Sequence, residues 1–120
     1  TSIRYAEVLL WEAEALAELG RASGAQAPLE LVRARARAQA ADPLTALPPV
    51  TTTDKTEMIQ AVRHERSVEL GFEMHRFFDL VRWGIAKDKL ADFQVGKHEV
   101  FPLPQVELDL NQQLVQNANY

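Results

Sequence analysis

No cysteine occurs in the 120 residues, so neither a disulfide framework nor a thiolate metal site is available, and the redox compartment cannot be read. No apolar run comes near the roughly 18 residues that a membrane-spanning helix needs, and no charged leader precedes an apolar stretch at the start. A dominant charge of one sign is missing too: 13 Lys and Arg stand against 17 Asp and Glu, a net of −4, with the basic residues scattered among the acids. That pattern excludes the electrostatic footprint of a nucleic-acid binder. With 47% apolar and 25% charged residues, the chain is also excluded from the disordered class. What remains is a single modest domain over residues 1–120, able to bury roughly two-thirds of its unfolded surface. Beginning at Thr1 without Met and moving at once into a helical pattern, it is expected to be a piece of something longer.

From Ile3 to Leu19 the run IRYAEVLLWEAEALAEL is rich in Ala, Leu and Glu, with Tyr5, Leu9, Ala13 and Leu16 at the spacing of one helix face. Glu7, Glu14 and Glu18 fall on another side and read as a solvated face. Gly20 supplies a left-handed stop. A second helix is expected from Pro28, which suits a first helical position, to about Ala40. The abundant Ala lets the two helices approach closely, as an antiparallel hairpin like one tetratricopeptide unit, although no second copy of that repeat is visible.

Pro43, Pro48 and Pro49 make Ala41 to Thr53 an extended surface connection. Asp54 is placed to cap a third helix, with Glu57 completing a capping box and Met58, Ile59 and Val62 opening a buried stripe. Gly71 marks a bend between two helices, and Gly84 ends the second. A short helix is expected near Ile85 to Ala91. From Asp92 onward Gly96, Pro102, Pro104 and the Asn/Gln-rich end predict an irregular tail, with a helical turn around Gln105 to Leu108. The fold class is therefore all-α: a tetratricopeptide-like helical hairpin, a bent helix pair and an irregular C-terminal tail.

The chemistry is concentrated in RHERSVELGFEMHRFFDLVRWG, Arg63 to Gly84. Leu70, Phe72, Phe77, Phe78, Leu80, Val81 and Trp83 are too apolar to stay exposed on both sides of a helix. Yet Glu65, Arg66, Glu69, Glu73, Arg76, Asp79 and Arg82 run through the same segment, and unpartnered buried charges are costly. Arg66 with Glu69, Glu73 with Arg76, Arg76 with Asp79 and Asp79 with Arg82 are opposite charges three residues apart. Arg, whose planar fork pairs two-toothed with carboxylates and tolerates desolvation, is used in preference to Lys throughout. The expectation is a partly buried ionic lattice among these residues that fixes a helix crossing, with Arg76 holding buried carboxylates.

Reactive alternatives fail on spacing. His64 and Glu65 begin an HExxH pattern, but Val68 stands where the second His belongs. His64, Glu65, Glu69 and His75 lack the Glu-x-x-His repeat of a helical-bundle metal site. Glu69 and Glu73 could serve glycoside chemistry, but neighbouring Arg residues keep both ionised and poor as proton donors. Ser67 has no strand-turn-helix elbow around it. Tyr5, Trp11, Trp83 and Tyr120 could stack on sugar rings, although Trp11 and Trp83 read as core. No catalytic residue, metal ligand or cofactor is assigned, and ligand contacts stay unassigned.

Four motifs together carry a resemblance. ERSVELGFEMHRFFDLVRWG is similar to the ERR-x-EL-x-x-EG-x-R-x-x-DL-x-RWG signature of the SusD/RagB family. RYAEVLLWEAEALAELG resembles that family's R-YAEVLL-x-AEA helix, and LELVRARA the N-x-VRARA helix that follows. VFPLPQVELDLNQQLVQNANY resembles the closing FPIP-x-x-E-x-x-x-N-x-x-L-x-QNPGY. The departures are Ser67 for the second Arg of ERR, Met74 for the Gly of EG, and Ala118 and Asn119 for the Pro and Gly of NPGY.

The resemblance implies a C-terminal portion of a nutrient-binding lipoprotein on the outer face of an outer membrane, built on tetratricopeptide-like helices. It implies a SusC-like TonB-dependent transporter as partner, an oligosaccharide or peptide as cargo, no catalysis, and a lipid anchor lying outside this chain. Much of the family's ligand site comes from other regions, so no binding residue transfers by position. The rival from another class is a tetratricopeptide-like adaptor gripping a partner peptide; a weaker one is a helical hydrolase using the acidic pairs.

Overall fold

The computed structural model describes residues 3–43 and 45–120; Thr1, Ser2 and Leu44, the last within the proline-rich connection, lie outside the described residues. Two compact units are present, residues 1–75 and 76–120. The described residues hold helices and no strand, in agreement with the all-α reading.

In the first unit α1 spans Tyr5–Glu18, α2 Ala22–Arg37 and α3 Lys55–Glu69. Helix α1 closes as expected at Gly20, whose φ is +74°. The Gly20 amide donates to the Ala17 carbonyl and the Arg21 amide to the Leu16 carbonyl, which satisfies two carbonyls of the last turn and reverses the chain. Helix α2 begins at once, six residues earlier than Pro28 suggests. Pro28 lies buried inside it, even though a proline there removes a helical donor. Packing outweighs that cost: Ala22 and Ala25 are buried against the hairpin, and Gly24 lies beside the Leu16 side chain.

The core joins Leu9, Leu10, Ala13 and Ala17 of α1 to Leu29 and Val32 of α2 and Met58 and Val62 of α3. Each large apolar side chain fully buried there contributes about 1.5–3 kcal/mol. The small residues on α1 and α2 bring the backbones close, as the composition suggests. Tyr5 and Trp11, by contrast, are exposed. Neither continues the stripe formed by Leu10, Ala13 and Ala17.

The connection between α2 and α3 lacks regular structure near its prolines and is tied down by α2. Arg37 donates to the Leu47 carbonyl, Arg33 to the Pro48 carbonyl, and the Gln26 amide to the Thr51 and Thr52 carbonyls. Asp54 caps α3 by accepting from the Glu57 amide at 2.9 Å. The box closes two residues wider than expected, because Thr52 receives the Asp54 amide and its hydroxyl donates to the Glu57 carboxylate.

In the second unit α4 spans Arg76–Arg82, α5 Ala86–Lys89 and α6 Gln105–Leu110. Gly84, at φ +70°, ends α4 with the same pair of bonds that Gly20 provides, from Gly84 to Val81 and from Ile85 to Leu80. Leu80 and Ala86 are buried, whereas Phe78 is exposed rather than part of the core. The Phe77 ring lies edge-on to Phe78 at 5.7 Å and within 6.3 Å of Phe93 and Phe101.

The tail is irregular but stitched. Gln116 accepts from the Leu103 amide and donates to its carbonyl, Asn117 donates to Phe101, Asn119 to Gly96, and the Tyr120 hydroxyl to Val100. Every one of these bonds pairs a side chain with backbone, which is how a segment without a ladder satisfies its polar groups.

Helix α3 stops at Glu69, close to the expected break, but Gly71 is not the residue in the unusual conformation. Phe72 and Met74 have φ of +63° and +65°, and Phe72 is fully exposed rather than buried. A left-handed backbone costs an L-residue about 1–2 kcal/mol. Met74 is exposed, so its side chain has little packing to lose. Replacing it with Gly should therefore raise stability by about 0.5–1 kcal/mol, part of the relieved strain being offset by the added freedom of the unfolded chain. Urea unfolding of Met74→Gly checks this, and a lowered midpoint contradicts it.

Candidate functional site

The carboxylates of the charged segment are indeed ion-paired, but their partners come from α1 and α2. Arg4 sits at the N-cap of α1 in extended backbone. Its guanidinium donates from Nε to both Glu73 oxygens at 3.0 and 2.9 Å and from Nη1 to Glu69 Oε1 at 2.7 Å. Its Nη2 also reaches the Glu69 backbone carbonyl at 2.6 Å, satisfying a carbonyl in the last turn of α3. Arg35 approaches Glu69 from α2 at 2.8 Å. Arg33 forks between Glu65 and the Pro48 carbonyl.

Charge-assisted forks of this kind are the strong hydrogen bonds of proteins. The bonds to Glu73 first, and then to Glu69, hold the Arg4 guanidinium protonated beyond its ordinary range. In return Arg4 holds the Glu73 carboxyl below the usual carboxylate range.

Three expectations are corrected by this arrangement. Glu7 and Glu14 are buried rather than solvated: Glu7 lies 3.4 Å from His75 Nδ1 and Glu14 lies 4.0 Å from Arg66 Nε. They share a face with Leu10 and Ala17, which are fully buried, so the acids go in with them. Glu18 alone stays exposed, paired with Lys55 at 3.5 Å. Of the opposite-charge pairs expected three residues apart, Asp79 with Arg82 forms at 2.9 Å. Arg76 is exposed and is not the cation that holds the buried carboxylates.

The remaining sequence candidates are dispersed. His64 is exposed on α3 while the adjacent Glu65 is buried against Arg33, so the two do not converge. Glu69 and Glu73 share the Arg4 guanidinium, which holds the Glu73 carboxyl below the usual carboxylate range. Among the described residues no group of three His, Asp or Glu is placed to hold a metal ion. Trp83 is half-buried with the Arg82 guanidinium 4.9 Å over its ring.

A second feature lies wholly in residues 76–120. An open cavity of about 420 Å³ is lined by Phe77, Phe93, Phe101 and Tyr120, with Asp92 and His98 as its ionisable members. Of the sequence's candidate stacking aromatics, Tyr120 alone lines it. Tyr5 instead lines a cleft of about 340 Å³ in the first unit with Arg4 and Arg35. The phenylalanines that line the larger cavity carried no motif and converge only through the turn at Gly84 and the stitched tail.

Comparison with known proteins follows the same lines. A family model described as the SusD family matches residues 1–100. Two SusD-like proteins of Formosa agariphila are 30% and 32% identical to it, over 96% and 95% of this chain. The structure of a SusD homolog from Bacteroides thetaiotaomicron superposes with a TM-score of 0.81 at 37% identity over 98% of the chain. A SusD-like protein from Bacteroides fragilis gives a TM-score of 0.76 at 28% identity over 98%. The chain spans about a quarter of the length of these relatives.

The ionic arrangement generates two predictions. The Arg33 and Glu65 side chains are only 11% and 3% exposed, so Arg33→Ala strands a buried carboxylate and should cost about 3 kcal/mol. Arg76→Ala, at an exposed position, should stay within about 0.5 kcal/mol. Chemical denaturation of the pair distinguishes this network from one centred on Arg76. The second prediction concerns pH. Because the folded Glu73 carboxyl sits below its unfolded value, the unfolded chain binds more protons in the acid range, and this stabilisation is lost as pH falls through the folded value. Melting measured from neutral to about pH 3 should therefore show a shallower decline for Glu73→Gln than for the parent.

Proposed function

The chain belongs to the SusD family, and we propose that it forms the C-terminal helical part of a nutrient-binding protein in an outer-membrane import system. In this reading the cargo is an oligosaccharide or peptide, the partner is a SusC-like TonB-dependent transporter, and the protein is held at the cell surface by a lipid anchor outside this stretch. The family match over residues 1–100 is the observation that carries it. The adaptor reading has no comparable support.

The charged segment serves this function as architecture. Glu65, Glu69 and Glu73 are occupied by Arg33, Arg35 and Arg4, an arrangement suited to fixing helices. Binding without turnover is therefore expected. The test incubates the purified protein with oligosaccharide and peptide panels. The expected outcome is retention of at least one class, recovered intact by chromatography, and co-purification with a TonB-dependent transporter from outer membranes. Shortened products, or capture of neither class, would overturn the proposal.

A further inference from the structure

The cavity of residues 76–120 has a more specific chemistry than its position in the scaffold requires. We infer that it holds a single pyranose ring, a reading that deepens the nutrient-binding proposal and rests on it for the choice of a sugar as cargo. Four aromatic rings, Phe77, Phe93, Phe101 and Tyr120, supply apolar faces. A pyranose presents such a face through its axial C–H groups and carries hydroxyls around its edge, so its edge needs one acceptor and one donor at the rim.

Both are present. Asp92 is exposed at the cavity and, among the described residues, has no hydrogen-bond or ion-pair partner, which leaves a carboxylate free to accept from hydroxyls. His98 Nδ1 accepts from the Gln94 amide at 3.0 Å. In the neutral imidazole the hydrogen then sits on Nε2, leaving a donor. The ring is steadied edge-on against Phe93 at 5.7 Å.

Other occupants fit less well. The Asp92 carboxylate opposes an anion. An organic cation meets the Lys97 ammonium, which already lies 5.0 Å over the Tyr120 ring. A purely apolar ligand would strip water from Asp92 and return nothing. At about 420 Å³ the cavity is near the lower end of small-molecule sites, roughly 300–1,000 Å³, which suits one sugar ring rather than a long chain segment.

The walls are also set before any ligand arrives. Phe101 is held through its carbonyl by Asn117 at 2.6 Å, and Val100 through its carbonyl by the Tyr120 hydroxyl at 2.8 Å. Such pre-organisation lowers the ordering cost of binding.

The test titrates the 15N-labelled 120-residue chain with methyl glycosides of glucose, galactose, mannose and xylose, following amide shifts by NMR. At least one glycoside should give saturable shifts confined to residues 76–78, 90–101 and 116–120. Asp92→Asn, an isosteric change at an exposed position, should weaken that binding about tenfold, as expected for loss of a charged acceptor, without altering the amides of residues 102–115 in the free protein. Butylammonium should give no saturable shift there. Failure of all four glycosides at these amides, unchanged affinity in Asp92→Asn, or preference for butylammonium would each overturn the inference. If the oligosaccharide panel is still retained in such a case, the pocket reading alone has failed; if the panel also fails, the nutrient-binding reading fails with it.

Discussion

The first unit depends on one guanidinium. Arg4 reaches across 65 and 69 positions in sequence to bind Glu69 and Glu73 at once. With a single side chain it ties the start of α1 to the end of α3 and to the turn beyond it. Its backbone lies outside the helix, so no turn of α1 is distorted to make the contact. Arg33 and Arg35 repeat the logic from α2. The apolar core brings three helices together at low specificity, and the charged forks select one register among the ways they could slide.

That division explains what could be read in advance. The start of α3, the stops at Gly20 and Gly84 and the cap at Asp54 are local properties, set by spacing and backbone freedom, and they lie close to where the residues indicate. The existence of buried ion pairs in Arg63 to Gly84 was legible from charge set in an apolar run. Their partners were not, because pairing three residues apart is the cheap local solution, while Arg4 and Arg33 become neighbours of that segment only after the hairpin folds back. A signal did exist: Glu7, Leu10, Glu14 and Ala17 share one face of α1, so a buried stripe containing two acids called for distant cations.

The misplaced start of α2 has the same origin. Pro28 is a strong local signal, and its preference for a first helical position is real, but the small buried residues ahead of it gain more from packing against α1 than an earlier start costs. The aromatic cavity of the second unit was illegible for a related reason. Its four rings come from α4 and from the start, the interior and the last residue of the tail, and no periodicity links them.

The stitched tail carries a chemical liability. Asn117 and Asn119 each hold a backbone carbonyl through the amide nitrogen, a group that slow hydrolysis removes in any ageing protein. Deamidation would set a carboxylate against an oxygen, two acceptors with no hydrogen between them. The closing segment would then be held by the bonds of Gln116 and the Tyr120 hydroxyl alone. Two side-chain amides are thus a point at which covalent ageing would loosen the tail without touching a helix.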